Sequence, residues 1–147
     1  MLNKLSYLIK RFRVSRGFTV HSPFAFRFVR LVVRETLPYY DFHTIRDPYD
    51  RLLYRTAVYF NPATVAASGP GADKALDILH RALPSARIVN PSEAEMLFTS
   101  LPHSSASVQF LPGGQQIPDA VNFCLPKATI AVRRRGVPPA SYPLSLP

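Results

Sequence analysis

The sequence predicts an α/β protein in which a parallel sheet of about five strands follows a helical N-terminal region. Three observations support this class. Residues 1–61 carry apolar side chains at helical spacing, short strand-like apolar runs begin after Pro62, and these runs alternate with helix-like segments. Such alternation is typical of parallel strands that are joined by right-handed crossovers.

The composition is that of one folded domain. With 147 residues, 47% of them hydrophobic, the chain is long and apolar enough for a single core. No apolar run approaches the ~20 residues of a membrane span, and the basic N-terminal segment does not resemble a secretory signal. The single cysteine excludes an internal disulfide and fits a reducing compartment. We therefore expect a cytoplasmic protein with no membrane span.

Residues 1–61 form a predicted helical cap of three helices. Ser22 followed by Pro23 predicts a helix that runs to Leu37, and Asp47 followed by Pro48 predicts another that ends near Phe60. The first helix, residues 2–13, combines an apolar face with basic residues. Such a helix lies on a membrane or docks on a core, and its shortness favours docking.

The net charge of +9 is concentrated in this helical cap. Arg27, Arg30 and Arg34 follow one another at spacings of three and four, which places them along one side of the second helix. Such a row is either a surface that contacts an anionic partner or a solvated stripe.

Residues 62–132 form the predicted core, and residues 133–147 are predicted to be an irregular tail because they lack any period. Ser92 and Glu95 have the spacing of a capping box, which predicts a short helix at 92–98. The predicted strands are 63–67, 86–89, 107–111, 119–125 and 128–132, and the other predicted helix is 72–83.

The most informative stretch of the core is a glycine turn between its first strand and its first helix. The apolar run 63–67 leads into Ser68-Gly69-Pro70-Gly71, and helical spacing begins at once. The start of a helix offers free N–H groups and a partial positive charge, which suit a nucleotide-like ligand. A plain tight turn between strand and helix would have the same sequence.

Two segments resemble the class I S-adenosylmethionine-dependent methyltransferases, whose fold is Rossmann-like. FTVHSPFAF, residues 18–26, looks like the opening of a group of bacterial methyltransferase-like proteins. RLLYRTAVYFNPATVAASGPGADKAL, residues 51–76, looks like that group's helix and cofactor-binding turn. The likeness covers about residues 1–132.

The resemblance implies that S-adenosylmethionine binds across the carboxyl ends of the strands. Gly69 and Gly71, next to Ser68, match the first two glycines of the family's first motif. Asn90 lies near the position that holds the ribose, and Asp119 matches the first acid of the strand-four motif. These five residues are the predicted cofactor-binding set. The methyl acceptor is not indicated.

Three positions that carry carboxylates in the family read Ala67, Asn90 and Cys124. A charged hydrogen bond contributes about 1.5–3 kcal/mol, so these replacements would weaken cofactor binding. The sequence therefore leaves two functions open. One is a methyltransferase-like protein with weak or lost cofactor binding, and the other is an inactive module whose basic helical face contacts an anionic partner.

The last two predicted strands lie too close together for a parallel crossover, which needs about ten or more residues. Only the segment around Pro126 and Lys127 separates them. Either the last strand pairs differently, or the sheet is incomplete and its exposed edge would offer a surface for self-association.

No residue of the sequence is assigned to catalysis, and no Cys/His spacing predicts a metal site. His21 is a candidate base or a structural histidine that bonds the turn. His43 lies in an aromatic loop that either covers a methyl-accepting substrate or is an ordinary surface loop. Tyr39, Tyr40 and Tyr54 could stack on a planar substrate or pack the helical cap.

Overall fold

The structure is a computed structural model that describes residues 2–15, 22–36, 39–101 and 106–147. Four α-helices and seven strands make up the described part. The helices are α1 (Leu2–Ser15), α2 (Pro23–Phe28), α3 (Pro48–Phe60) and α4 (Ala72–Ala82). The strands are β1 (Thr64–Ala67), β2 (Arg87–Ile88), β3 (Met96–Phe98), β4 (Val108–Pro112), β5 (Val121–Cys124), β6 (Ala128–Val132) and β7 (Ala140–Pro143). A π-helical turn (Val29–Val33) and a 3₁₀ helix (Tyr40–His43) lie between α2 and α3.

All seven strands form one mixed sheet in the order β2-β1-β3-β4-β6-β5-β7. Neighbours pair in parallel, except that β6 runs antiparallel to both β4 and β5. The α/β class and the N-terminal helical cap are therefore confirmed. The sheet is larger than the five strands predicted because β3 and β7 fall in segments that were predicted to be a helix and a tail.

The short connection between β5 and β6 is a hairpin. The two strands are antiparallel in register, with Phe123 opposite Ile130, and the amide of Leu125 donates to the carbonyl of Ala128 at 2.8 Å. A hairpin needs only a few residues, whereas a parallel crossover does not fit. Of the two alternatives left open by the sequence, different pairing of the last predicted strand is the one observed.

The predicted helix at 92–98 was wrong. Met96–Phe98 is β3, which lies between β1 and β4. Glu95 does not complete a capping box: its Oε2 accepts from the amide of Ala63 at 3.1 Å, and its own amide donates to Thr64 Oγ1 at 3.0 Å. Long-range pairing and burial have overridden a local helix signal.

The predicted tail was also wrong, because it contains β7. Ser141 and Tyr142 pair in parallel with Asn122 and Phe123 of β5. The chain continues along β5, where the amide of Leu144 donates to the carbonyl of Cys124 at 2.7 Å. Leu144 is fully buried. This segment lacks a sequence period because it lies at the edge of the sheet and its burial pattern does not alternate cleanly.

The second helix of the cap begins as predicted but ends earlier. Ser22 Oγ accepts from the amide of Ala25 at 3.3 Å, and Pro23 occupies the first turn. After Phe28 the helix widens into the π-helical turn, which ends at Val33 rather than Leu37. α3 agrees with its prediction, because Asp47 Oδ1 caps it and Asn61, in the left-handed conformation, ends it.

The cap packs on one face of the sheet. Phe28 of α2 lies 4.3 Å from Phe123 of β5 between ring centroids, and Phe60 of α3 lies 5.6 Å from Phe28. One cluster of buried residues includes side chains from the cap, the sheet and Leu144. The helices and the sheet therefore share a single core.

Helix α1 lies against β7 and so contacts the rest of the fold, as the docking expectation requires, but the part whose side chains are described does not bury its apolar face. Residues 4–10 are all exposed, including Leu5 and Leu8 at 58% and 60% of their full surface.

Candidate ligand site at the carboxyl edge of the sheet

The strand order creates a crevice between β1 and β3. The chain passes from β1 through α4 to β2 on one side of β1, and β3 then pairs on the other side. In open α/β sheets a ligand binds at such a switch point, outside the carboxyl ends of the strands. We call the side of the sheet where β1, β2 and β3 end the carboxyl edge.

The turn Ser68–Gly71 lies at this switch point. The amide of Ser68 donates to the carbonyl of Phe98 at 2.9 Å, which continues the β1–β3 ladder by one residue. Gly69 and Gly71 then adopt φ values of +83° and +80°. Only glycine takes this left-handed conformation without strain, so the two glycines allow α4 to begin directly beyond β1.

Thr99 and Ser100, at the end of β3, complete the opposite wall of the crevice. Ser68 Oγ donates to Thr99 Oγ1 at 3.0 Å. A Cβ atom added to Gly69 would stand 2.8 Å from Ser100 Oγ, so the turn and the end of β3 are in close contact. Sequence reasoning missed both residues because it assigned the preceding segment to a helix. The signal was a polar pair directly after the apolar run 96–98.

Backbone N–H groups are the main donors that the crevice offers. The first turn of a helix leaves amides without intrahelical partners. The amide of Ala72 donates to the carbonyl of Gly69 at 3.2 Å. Among the residues described, the amides of Gly69, Gly71 and Asp73 have no protein acceptor. These donors and the positive end of α4 suit an anionic group.

Asn90 reaches the same edge, whereas Asp119 does not. Asn90 lies just beyond β2, and β2 is parallel to β1, so both strands end at the carboxyl edge. Asp119 instead precedes β5 and lies at the opposite, amino edge. Its two carboxylate oxygens each accept from Arg133 at 3.2 Å. The hydrogen bonds from Arg133 lower the pKa of Asp119.

The predicted set is therefore brought together in part. Ser68, Gly69 and Gly71 form one turn, Asn90 shares their edge of the sheet, and Asp119 is separated from them by the length of β5. Asp119 was misplaced because a sequence match to the acid of a strand motif does not show to which end of the strand that acid belongs.

One ion pair lies beside the turn, whereas Asp73, in the first turn of α4, forms none among the described residues. Asp50 in the first turn of α3 lies 2.6 Å from Lys74 Nζ in the first turn of α4. The hydrogen bond from Lys74 to Asp50 raises the pKa of the lysine. Cys124, at the carboxyl end of β5, is buried. Ala67, which ends β1, brings no charge to the crevice.

The arginine row of the cap is interrupted by the π-helical turn. Arg27 and Arg30 are exposed, while Arg34 is half-buried at the end of that turn. The guanidinium of Arg30 lies 5.6 Å from the ring centroid of Phe26. Among the residues described, none of the three arginines forms an ion pair.

His43 is exposed, and its Nδ1 lies 2.7 Å from the carbonyl oxygen of Tyr40. Tyr39 and Tyr54 pack against each other in the cap, with ring centroids 5.3 Å apart. His21 lies outside the described residues. Within the described ranges, no group of three or more His, Cys, Asp or Glu side chains could hold a metal ion. None of the helices there has the length and apolar character that crossing a membrane requires.

Comparison with known proteins adds no relative to these observations. No protein-family model, no curated protein and no solved structure matches the chain.

Proposed function

We propose that the chain is a methyltransferase-like protein that binds S-adenosylmethionine weakly at the crevice between β1 and β3. The observation that carries the proposal is the position of the Ser68–Gly71 turn at the switch point of the sheet. Backbone amides in this turn and at the start of α4 have no protein acceptor among the described residues. This geometry suits the carboxylate of a methionine moiety, since backbone N–H groups and a helix dipole both favour an anion.

The residues present fit the cofactor only in part. The amides of Gly69 and Gly71 would hold the carboxylate, and the carboxamide of Asn90 would hydrogen-bond a ribose hydroxyl. Neither Ala67 nor Asn90 supplies the paired, charge-assisted hydrogen bonds that a carboxylate gives to two hydroxyls. Each missing charged hydrogen bond costs roughly tenfold or more in affinity. We therefore expect a dissociation constant well above the micromolar range.

Calorimetric titration of the purified protein with S-adenosylmethionine and S-adenosylhomocysteine tests the proposal. We expect measurable heat at millimolar ligand. Gly69→Ala should weaken it, because an alanine at this positive φ strains the turn and its Cβ must displace Ser100 Oγ. Asp119→Asn is the matched control and should bind as the unmodified protein does, since Asp119 lies at the opposite edge.

Two results would reject the proposal: no heat at millimolar ligand, or equal binding by the unmodified protein and a folded Gly69→Ala variant. Circular dichroism of each variant shows whether a loss of binding reflects a loss of fold.

A second candidate is a non-catalytic module that contacts an anionic partner such as nucleic acid. It is favoured by the exposure of Arg27 and Arg30 beside exposed Phe26 and Leu31. Basic and apolar groups on one surface are typical of contacts to phosphate and base. Electrophoretic mobility of mixed RNA and DNA should shift with the unmodified protein and shift less with Arg27, Arg30 and Arg34 changed to Ala. An unchanged shift would argue against this candidate.

A further inference from the structure

A cleft of about 540 Å³ lies in the helical cap, apart from the Ser68–Gly71 turn. It is enclosed by the end of the π-helical turn, the 3₁₀ helix, the first two turns of α3 and residues 146–147. The side chains that matter for recognition are Glu35, Tyr39, Tyr40, His43, Arg51 and Arg55. Its volume is within the range of small-molecule sites.

Arg55 is the main feature of this cleft. It is 7% exposed, and its Nε donates to the carbonyl of Val32 at 2.7 Å. Its two terminal nitrogens have no acceptor among the residues described. Among the described residues, Thr129 Oγ1 is the one side-chain polar atom that is both fully buried and without a hydrogen-bond partner. The terminal nitrogens of Arg55 have no partner there either, so they must be at least partly exposed to solvent. The free donors of this buried cation therefore remain accessible, and Arg55 lines the cleft.

A second arginine adds to the positive charge. Arg51 Nε donates to the carbonyl of Ile45 at 2.6 Å, and its Nη2 donates to that of Phe42 at 2.7 Å. These bonds hold its guanidinium over the Phe42 ring, 5.1 Å from the centroid. Glu35 brings the opposing charge, and its Oε1 accepts from the amide of Thr36 at 2.9 Å. The affinity of the cleft for an anion therefore depends on the free donors of Arg55, and not on an excess of positive charge over the carboxylates that line it.

Burial lowers the pKa of Arg55, and the positive charge of Arg51 lowers it further. Tyr39 and Glu35 have the opposite effect, but the pKa remains below its ordinary value. An arginine keeps its charge at neutral pH even so. A buried guanidinium with unused donors is a strong partner for an anion, because its planar fork matches a carboxylate or phosphate with two parallel bonds.

Aromatic rings form the remaining walls. Tyr39 packs against Phe42 with centroids 5.1 Å apart, which fixes one ring in place. Tyr40 is 89% exposed, and its ring lies 5.3 Å from that of His43. An exposed tyrosine at the mouth of a cleft offers a flat face on which a planar group can stack.

We propose that this cleft binds a small molecule that joins a planar ring to a carboxylate or phosphate group, with Arg55 on the anion and Tyr40 on the ring. The anion meets the free donors of the buried guanidinium, and stacking on Tyr40 favours an aromatic body over a bare ion. The proposal is independent of cofactor binding at the switch point, because it rests on different residues.

Titration with phenyl phosphate, benzoate, inorganic phosphate and benzyl alcohol tests the proposal. Binding of each compound is monitored by the shifts of backbone amide signals in ¹⁵N-resolved NMR spectra. We expect phenyl phosphate or benzoate to shift signals from residues 35–55. Inorganic phosphate and benzyl alcohol, which each lack one feature, should bind at least ~10-fold more weakly. The stronger of the two aromatic anions identifies the preferred acid group.

Three variants separate recognition from folding. Arg55→Lys keeps the charge but loses the planar fork and should weaken binding of the aromatic anion by ~10-fold or more. Tyr40→Ala changes an exposed side chain, leaves the core intact and should reduce the advantage of phenyl phosphate over inorganic phosphate. Arg87→Gln, an exposed arginine of β2, is the control and should bind as the unmodified protein does.

The proposal is overturned if benzyl alcohol binds as well as phenyl phosphate, or if the shifts map to the Ser68–Gly71 turn. Binding by folded Tyr40→Ala with an unchanged preference for the aromatic anion would also overturn it. The Tyr40 result decides the matter even if Arg55→Lys does not fold.

Discussion

Individual residues at the carboxyl edge show how backbone conformation builds the candidate site. Gly69 has a positive φ and also lies against Ser100, so two separate constraints act on one position. Gly136 has the same φ of +83° with no atom near its missing Cβ. Substitutions at Gly69 and Gly136 therefore distinguish the effect of backbone strain from the effect of steric contact.

We expect Gly69→Ala to lower the free energy of unfolding by more than Gly136→Ala does. Both variants carry the left-handed strain of about 1–2 kcal/mol, and only Gly69→Ala must also move Ser100. Urea denaturation of the two variants measures the difference. Equal losses would show that Ser100 yields without cost.

Tyr54 is a second residue whose environment can be read from its chemistry. It is almost fully buried, and its hydroxyl donates to Asp41 Oδ2 at 2.9 Å. Burial and the hydrogen bond to Asp41 raise the pKa of Tyr54 to about 12. Because this pKa is higher in the folded chain than in the unfolded one, the stabilisation is complete below about pH 10 and is lost as the pH rises toward 12.

The Tyr54→Phe variant should be less stable than the unmodified protein at pH 8, by about 1 kcal/mol. The gap should shrink between pH 10 and 12, since phenylalanine cannot ionise. Guanidinium denaturation across this pH range measures the gap, and the other titrating groups are common to both proteins. A gap that stays constant up to pH 12 would contradict the assigned pKa.

At the scale of elements, two helix-capping signals in the sequence led to one helix and one strand. Asp47 caps α3, where its Oδ1 accepts from the amides of Tyr49 and Asp50 at 2.8 and 3.2 Å. Ser92 has the spacing of a cap but lies in a turn before β3. Glu95, which would complete a capping box with Ser92, instead hydrogen-bonds to Ala63 and Thr64 at the start of β1.

Asp47→Ala should lower the free energy of unfolding by about 1 kcal/mol, because two amides at the start of α3 lose their acceptor. Ser92→Ala should change it by less than about 0.5 kcal/mol, as is usual at the surface. Thermal unfolding followed by circular dichroism compares them. A larger loss from Ser92→Ala would indicate that residues 92–98 are helical after all.

β7 and the residue that follows it, which replace the predicted tail, should contribute measurably to the free energy of unfolding. Leu144 follows β7 and is fully buried, whereas Ser141 in the same strand is exposed. Leu144→Ala should cost about 2–4 kcal/mol, as expected for a buried leucine. Ser141→Ala, which removes a surface hydrogen bond to Gln116, should cost much less. Similar small losses from both variants, measured in urea, would indicate a frayed tail.

At the scale of the whole molecule, one buried cluster connects the cap, the sheet and the last residues. Phe28 of α2, Leu53 of α3, Phe123 of β5 and Leu144 all belong to it. The helices of this cluster lie against one face of the sheet, and loops cover much of the other face. The residues assigned from sequence to cap, core and tail therefore depend on each other for burial.

We expect the chain to unfold in a single cooperative transition. Far-ultraviolet circular dichroism, which reports the helices, and near-ultraviolet circular dichroism of the tyrosines should give coincident midpoints in urea. Exposing the shared core removes support from every element at once. Separate midpoints would indicate that residues 22–61 fold independently of the sheet.

The sequence by itself determined the α/β class, the caps at Ser22 and Asp47, and the glycine turn Ser68–Gly71. Each of these depends on chemistry within a few neighbouring residues, so a local pattern is enough to predict it. Only the tertiary structure decided that β3 and β7 join the sheet, that β5 and β6 form a hairpin, and that Asp119 lies at the opposite edge from Asn90. It also decided that Arg55 keeps free donors in a cleft of the cap. These features depend on pairing and burial between residues far apart in the chain, and no local period records such contacts.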